Sequence, residues 1–150
     1  MAQSLSNILI HIDFSTKNRR PYITAEIETE LFKYLATAAR TLDCPTHAIG
    51  GTDDHIHIAC TLSRTIPLSQ LIQEIKQDSS KWIKSKHERL SDFAWQSGYG
   101  AFSIGQSQLN DLRHYIANQR EHHHRTTFQE EFRHICQCYG IELDERYAWD

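Results

Sequence analysis

The most constraining feature of this sequence is DDHIHIAC, residues 53–60, in which two histidines flank one isoleucine. Because side chains alternate between the two faces of a β-strand, a strand here directs its isoleucines and Cys60 to one face. His55 and His57 then share the other face. The stretch predicts a strand with one apolar face. Its histidines have two interpretations: incidental polar residues of a half-buried strand, or half of a metal site.

Hydrophobic periodicity along the rest of the chain predicts an α+β fold. Strands are expected over residues 7–14 and 55–62, from their alternating apolar residues, and over 99–104, while residues 46–51 are a short strand or a turn. Helices with apolar positions three or four residues apart are expected to start near Thr24, Pro67, Ser107 and Thr127, with Ser107 as a cap. The order strand, helix, strand, strand, helix, strand is that of the ferredoxin-like, split βαβ antiparallel sheet. We expect the first two helices on one face of the sheet, C-terminal helices after it, and a single domain over residues 1–150.

The composition gives no indication of a membrane protein or of a cysteine-based zinc site. No apolar run approaches the roughly 18 residues of a membrane span, and the polar start of the chain lacks the layout of a signal peptide. The four cysteines fit no CxxC pair, which favours reduced thiols. We therefore predict a cytoplasmic protein that does not contact a membrane.

The net charge of the chain argues against nucleic-acid binding, while the local clustering of its basic residues argues for it. The net charge of −3 does not indicate a non-specific nucleic-acid binder, since such domains usually carry a basic excess. Basic residues nevertheless cluster in a loop with Lys17, Arg19 and Arg20, and in a helix with Lys81 and Lys84. These five residues are candidate DNA contacts, although a solvated helix face explains the lysines equally well.

The predicted third helix carries a second candidate group. Tyr115 and Gln119 are four residues apart, so they lie on one helix face about one turn from each other. A purely structural interpretation is a tyrosine at the edge of a packing contact and a surface glutamine. In chemical terms, two imidazoles and one carboxamide oxygen suit a divalent ion such as Mg²⁺ or Mn²⁺. A tyrosine beside such an ion can attack a phosphodiester.

Taken in order, these motifs resemble the single-tyrosine HUH transposase family. This family comprises the TnpA-type transposases of the smallest bacterial insertion sequences and their REP-associated tyrosine transposase relatives. The resemblance covers nearly the whole chain and rests on His55-Ile56-His57, Tyr115 and Gln119 within their surroundings. Those surroundings are the segments FSTKNRRP, GGTDDHIHIAC, KWIK, FAWQSGYGAFSI and HYIANQREHH.

The resemblance implies a metal-dependent transposase that cleaves and rejoins single-stranded DNA. His55, His57 and Gln119 would hold the Mg²⁺ or Mn²⁺ ion, and Tyr115 would be the nucleophile. The products of cleavage would be a 5′-phosphotyrosine link and a free 3′-hydroxyl. The family also implies a homodimer, in which the tyrosine helix can complete the partner's site, and recognition of DNA hairpins at the element ends.

Other polar and aromatic groups have simpler explanations. The helix dipole accounts for His122, His123 and His124 near a helix C-terminus, with a place beside the substrate as a weaker alternative for His123. Asp54 is a candidate to orient His55 or His57. Three aromatic residues are expected to be buried, with stacking on unpaired bases as the alternative, and they are Trp95, Tyr99 and Phe102.

Three other functions compete with the transposase. The first is a domesticated DNA-hairpin-binding protein that keeps the fold without mobility. The second is a ferredoxin-like RNA-binding domain, but the central strands of such a domain carry aromatic residues where this chain has His11, His55 and His57. The third is a small metal hydrolase acting on another phosphodiester, which would not need Tyr115.

Overall fold

A four-stranded antiparallel sheet forms the centre of the protein. The structure is a computed structural model that describes residues 2–150, so Met1 of the predicted domain lies outside the described residues. The strands are β1 (Leu9–Ser15), β2 (Thr46–Gly51), β3 (His55–Thr61) and β4 (Gly100–Ile104). Their order in the sheet is β2-β3-β1-β4, and every neighbouring pair is antiparallel. This arrangement confirms the predicted ferredoxin-like fold.

Two long helices cover the apolar face of the sheet. They are α1 (Ala25–Thr41) and α2 (Leu68–Lys84), the two crossover helices of the predicted topology. Ile56 and Ile58 of β3 point into the core with Leu31 and Leu35 of α1 and Ile75 of α2. The alternation of β3 therefore places its histidines on the opposite face, as predicted.

The C-terminal helices cover the histidine face. They are α3 (Leu109–Ala117), the short α4 (Gln119–His122) and α5 (Phe128–Cys138). Leu109 and Ile116 of α3 pack on Ala59 of β3, while Phe128 and Phe132 of α5 pack on Phe102 of β4. None of the helices within residues 2–150 is both long and apolar enough to span a membrane.

The third predicted helix differs from the structure at both ends. Ser107 does not cap it, because residues 106–108 form a 3-10 turn and the backbone N–H of Gly105 donates to Gln108 Oε1 at 2.8 Å. At the other end, Asn118 leaves the helical conformation with φ −100° and ψ 20°, so α3 and α4 are separate. This break lies between Tyr115 and Gln119, which we had predicted on one continuous helix.

Candidate active site

The two histidines of β3 lie at the bottom of a buried polar cluster. His55 and His57 have no exposed surface. In the sheet, His57 pairs with Asp13 and His55 pairs with Ser15 of β1, so all four residues are on the face covered by α3, α4 and α5. The histidines predicted from the strand alternation therefore meet the C-terminal helices.

His55 is held from one side and presents its other nitrogen to Gln119. Its Nδ1 lies 2.7 Å from Asp54 Oδ1 and 3.0 Å from Thr52 Oγ1. Its Nε2 lies 3.0 Å from Gln119 Oε1. Since a carboxylate only accepts, the bond to Asp54 places a proton on Nδ1, which leaves Nε2 as the nitrogen that can bind a metal.

The amide of Gln119 is oriented by its other contacts. Its Nε2 donates to Glu131 Oε2 at 3.3 Å and to the Tyr115 carbonyl at 3.4 Å. Because both partners are acceptors, the amide nitrogen faces them and Oε1 faces His55. The 3.0 Å between His55 Nε2 and Gln119 Oε1 is also a separation at which two ligand atoms of one cation lie.

His57 continues the cluster toward β1 and α5. Its Nδ1 lies 2.8 Å from His11 Nε2, and its Nε2 lies 2.8 Å from Glu131 Oε1. Burial lowers the pKa of His57, and burial together with His57 lowers the pKa of His11 to about 3. Both rings are therefore neutral at physiological pH, the protonation state in which an imidazole can bind a metal.

Glu131 of α5 is a site residue that the sequence analysis did not identify. Only 3% of it is exposed, and Nε2 of His123 lies 3.2 Å from its Oε1. Burial by itself would raise its pKa, but the imidazoles of His123 and His57 outweigh this effect and hold the pKa of Glu131 well below its usual value. The residue is thus a buried, ionised carboxylate among imidazoles.

Tyr115 joins the cluster through Glu131. Its hydroxyl donates a hydrogen bond to Glu131 Oε2, and its ring packs edge-on against His57 with 5.8 Å between centroids. Burial, followed by the negative charge of Glu131, raises the pKa of the Tyr115 phenol well above its usual value. The hydroxyl is therefore protonated in this arrangement.

Asp13 lies below the histidines and is unsatisfied. It is fully buried, and neither carboxylate oxygen accepts a hydrogen bond from any of residues 2–150. Its Oδ2 lies 3.8 Å from His57 Nδ1. Burial, and then the charge of Glu131, raises the pKa of Asp13 well above its usual value. A neutral acid at this position is consistent with the lack of a partner.

The donor atoms of this cluster fit a divalent cation. One ligand atom from each of four residues lies within 4.8 Å of the others, and these residues are His55, His57, His123 and Glu131. The amide oxygen of Gln119 is adjacent to them. Amide and carboxylate oxygens suit Mg²⁺ or Mn²⁺ and imidazole nitrogens suit metals such as Zn²⁺, so the mixed set fits a divalent cation without selecting one metal.

Comparison with known families agrees with this geometry. A family model described as that of IS200-like transposases matches residues 4–119, a segment that contains His55, His57, Tyr115 and Gln119. The chain belongs to the IS200-like transposase family. No curated protein sequence matches this IS200-like chain. The family match ends before α5, the helix that carries Glu131.

Two solved structures share the fold of this IS200-like protein. A transposase candidate from Deinococcus radiodurans R1 has a TM-score of 0.62 and 17% identity, with 79% of this chain and 98% of that chain covered. A REP-associated tyrosine transposase bound to a REP hairpin has a TM-score of 0.54 and 18% identity, with 79% of this chain and 70% of that chain covered. At these identities, the likeness concerns the fold.

The structure brings the four predicted site residues of this IS200-like chain together. His55, His57, Tyr115 and Gln119 lie in one cluster within a single chain. Their roles as metal ligands and nucleophile stay predictions. The cluster also includes His123, for which the sequence analysis gives a place beside the substrate only as the weaker alternative.

The predicted DNA contacts lie away from this cluster. Lys17, Arg19 and Arg20 belong to the turn after β1, where Arg20 pairs with Asp92 at 3.2 Å. Lys81 and Lys84 line a groove beside α2, on the face of the sheet opposite the histidines, and their side chains are exposed. Of the aromatic residues, Trp95 and Phe102 are buried as predicted and Tyr99 is 39% exposed.

A signal for Glu131 does exist in the sequence. The apolar positions of α5 are Phe128, Phe132, Ile135 and Tyr139, and Glu131 falls within this stripe three residues after Phe128. A charged residue on the buried face of a helix requires a partner. The alternation of β1 likewise places His11 and Asp13 on the face that His57 occupies.

Proposed function

We propose that this chain is a metal-dependent transposase that cleaves and rejoins single-stranded DNA through a 5′-phosphotyrosine at Tyr115. The supporting observation is the position of the Tyr115 hydroxyl. It donates to Glu131, whose other oxygen is 2.8 Å from Nε2 of His57. The candidate nucleophile and the candidate metal ligands thus belong to one contact network. Attack of Tyr115 on a phosphodiester requires these groups to lie close together, because the phosphodiester has to meet both.

The proposed reaction exchanges one phosphorus–oxygen bond for another. Oη of Tyr115 gives up its proton and bonds to phosphorus while the bond from phosphorus to the 3′ oxygen breaks, and that oxygen takes up a proton to become the 3′-hydroxyl. Rejoining is the reverse step, with a 3′-hydroxyl as the nucleophile and the tyrosine as the leaving group. A divalent ion held by His55, His57 and Gln119 would supply positive charge that offsets the charge building up on the phosphate oxygens.

We propose that the DNA carries hairpins that bind outside the catalytic cluster. The REP-associated tyrosine transposase with a similar fold is bound to a REP hairpin. In this chain, Lys81, Lys84 and Tyr99 line a groove of about 640 Å³ between α2 and residues 93–97. Cations beside an exposed aromatic ring suit a DNA backbone and its bases. The groove is on the opposite face from Tyr115, so it suits the hairpin rather than the scissile phosphate.

We also propose that residues 1–150 form one HUH domain and that the chain forms a homodimer, as the family resemblance implies. In the structure, α3 packs on β2 and β3 of its own chain. Each subunit of the dimer would then have a tyrosine beside its own histidines. Light scattering after size-exclusion chromatography is expected to give the mass of two chains, and the mass of one chain would contradict the homodimer.

The function is tested by trapping the covalent intermediate. Purified protein is incubated with Mn²⁺ or Mg²⁺ and labelled single-stranded DNA from the flanks of its own gene, and the products are separated on a denaturing gel. We expect a protein–DNA band that requires the metal and is absent from Tyr115→Phe. Tyr147→Phe is the matched control, because Tyr147 is 67% exposed and outside the cluster, and it should keep the band.

One outcome would replace the enzyme with a binding protein. If the wild type shifts hairpin DNA on a native gel but never forms the covalent band, the chain is a hairpin-binding relative without strand transfer. If the band forms equally in Tyr115→Phe, another residue is the nucleophile and the role of Tyr115 is wrong.

A further inference from the structure

Glu131 occupies a position where packing alone would favour an apolar residue. It lies on the buried face of α5 between Phe128 and Phe132, and these three residues are 3%, 2% and 8% exposed, respectively. Removing a carboxylate from water costs several kcal/mol unless its surroundings compensate the charge. The compensation here comes from the side chains of the candidate active site, so the position of Glu131 is connected to that site rather than to the helix alone.

One oxygen of Glu131 faces the imidazoles. Oε1 lies 2.8 Å from Nε2 of His57, 3.2 Å from Nε2 of His123 and 3.8 Å from Nε2 of His55. Neighbouring ligand atoms of an octahedral ion, each at roughly 2.1 Å from the metal, lie about 3.0 Å apart. The separations from Oε1 to His57 and His123 are therefore of the size found among atoms that share one cation, while the separation to His55 is longer.

The charge of the site also favours a carboxylate ligand. His55, His57 and Gln119 supply three neutral donors, because a metal-binding imidazole and an amide carry no charge. Mg²⁺ and Mn²⁺ are hard cations that bind carboxylate oxygens in preference to neutral donors. Glu131 is the carboxylate whose oxygen lies closest to His57 in this cluster, at 2.8 Å against 3.8 Å for Asp13.

We propose that Glu131 is a further ligand of the divalent ion, supplied by a helix that lies beyond the family match. This inference rests on the proposed function, since it concerns the ion that function requires. Oε1 would bind the ion together with His55 and His57, while Oε2 keeps its contact with the Tyr115 hydroxyl. The same carboxylate then holds both the ion and the nucleophile in place.

Direct measurement of Mn²⁺ binding tests this proposal without relying on DNA cleavage. Isothermal titration calorimetry is carried out on the full chain as wild type, Glu131→Gln and Glu130→Gln. Glu130 is the matched control, because it is the adjacent residue of α5, is exposed and loses the same charge. We expect the dissociation constant for Mn²⁺ to rise at least about tenfold in Glu131→Gln and to stay within about twofold of wild type in Glu130→Gln.

The outcomes separate this inference from the proposed function. If Glu131→Gln folds, as judged by circular dichroism, and binds Mn²⁺ with wild-type affinity, Glu131 is not a ligand and the inference fails while the transposase proposal stands. If the wild type neither binds Mn²⁺ nor forms the covalent band, the proposed function itself fails. If Glu131→Gln does not fold, Glu131→Asp takes its place, because it keeps the charge and withdraws the carboxylate by one methylene. Wild-type Mn²⁺ affinity in Glu131→Asp would equally overturn the proposal.

Discussion

Asp54 fixes the orientation of the His55 ring through a 2.7 Å contact with Nδ1. Burial alone would raise the pKa of Asp54, but the hydrogen bond from His55 outweighs it and the pKa is lowered. In Asp54→Asn the acceptor loses its charge, so we expect Mn²⁺ affinity to fall by about 10- to 100-fold. Asp53→Asn, at an exposed neighbouring position, is the control in the same calorimetric titration. Equal affinities in the two variants would contradict this role for Asp54.

Asp13 should give the metal-free protein a characteristic pH dependence. Because its pKa is raised, Asp13 keeps its proton in the folded state above about pH 4, where the unfolded state releases it. The contribution of Asp13 to the free energy of unfolding therefore falls as the pH rises from about 4 to the pKa of the folded state. Asp13→Asn removes the effect. We expect the free energy of unfolding of Asp13→Asn, relative to wild type, to rise by about 1.4 kcal/mol per pH unit above pH 4 until the native pKa is reached. Urea unfolding of both proteins at a series of pH values measures this difference in the free energy of unfolding. If the difference does not change with pH, Asp13 is ionised in the folded state.

Single residues differ in how far the sequence could predict them. His55 and His57 were predictable because strand alternation is a local rule that puts both on one face. The contact between His57 and Glu131 joins residues 74 positions apart, and no local pattern gives the packing of α5 on the sheet. The polar residue within the apolar stripe of α5 indicated a buried partner but not its identity.

Helix α3 approaches strand β2 closely at Gly50. A Cβ atom added to Gly50 would lie 2.8 Å from Ile116 Cγ2 and closer still to the Ile116 carbonyl oxygen. Gly50→Ala should therefore push α3, and Tyr115 with it, away from the histidines. We expect a loss of about 100-fold in the rate of covalent adduct formation, since an error of about 1 Å in positioning a reacting group has that effect.

The control for Gly50→Ala is a glycine with space around it. At Gly105 an added Cβ would meet no atom among residues 2–150 closer than 3.6 Å, so Gly105→Ala should keep the wild-type rate. Thermal unfolding of both variants accompanies the rate measurement, because overpacking at Gly50 should also cost about 1–3 kcal/mol of stability. A wild-type rate in Gly50→Ala would mean that the position of α3 does not limit cleavage.

The elements were predictable where periodicity decides them and unpredictable where backbone geometry does. The strands and α1, α2 and α5 follow apolar alternation or a three-to-four spacing. Gly140, with a φ of 66°, follows the end of α5, where glycine is favoured. No apolar residue follows Ala117 before Phe128, so the apolar spacing gives no indication of where the third helix breaks. The cap at Ser107 failed because Gln108 satisfies the backbone of Gly105 instead.

At the scale of the whole molecule, the site is assembled from one chain. Tyr115 on α3, the proposed nucleophile, and His57 on β3 are in contact through Glu131 of the same chain. Mixing His57→Ala with Tyr115→Phe protein should therefore leave covalent adduct formation as low as in either variant alone. Recovery of the adduct in the mixture, on the denaturing gel, would show that a dimer exchanges its tyrosine helices between sites.

The distribution of charge predicts a salt dependence. Lys81 and Lys84 line the proposed hairpin groove, so replacing both by Gln should lower the slope of log affinity against log salt by about 2. Lys33 and Arg40 are exposed on α1 and do not line the groove, and their double replacement by Gln is the control. Hairpin binding is measured by fluorescence anisotropy over a range of salt concentrations. Identical slopes in the two double variants would place the hairpin elsewhere.

The burial of the histidine face determines when the site can act. His55 and His57 have no exposed surface and Gln119 has 1%, so a DNA phosphate cannot touch them in the arrangement described. In the proposed reaction, a movement that parts α5 or α3 from the sheet would therefore have to precede each cleavage. Such movements commonly take microseconds to milliseconds. The observed rate of cleavage would then include an opening step, whose barrier is set by the packing of these helices, in addition to the chemical step.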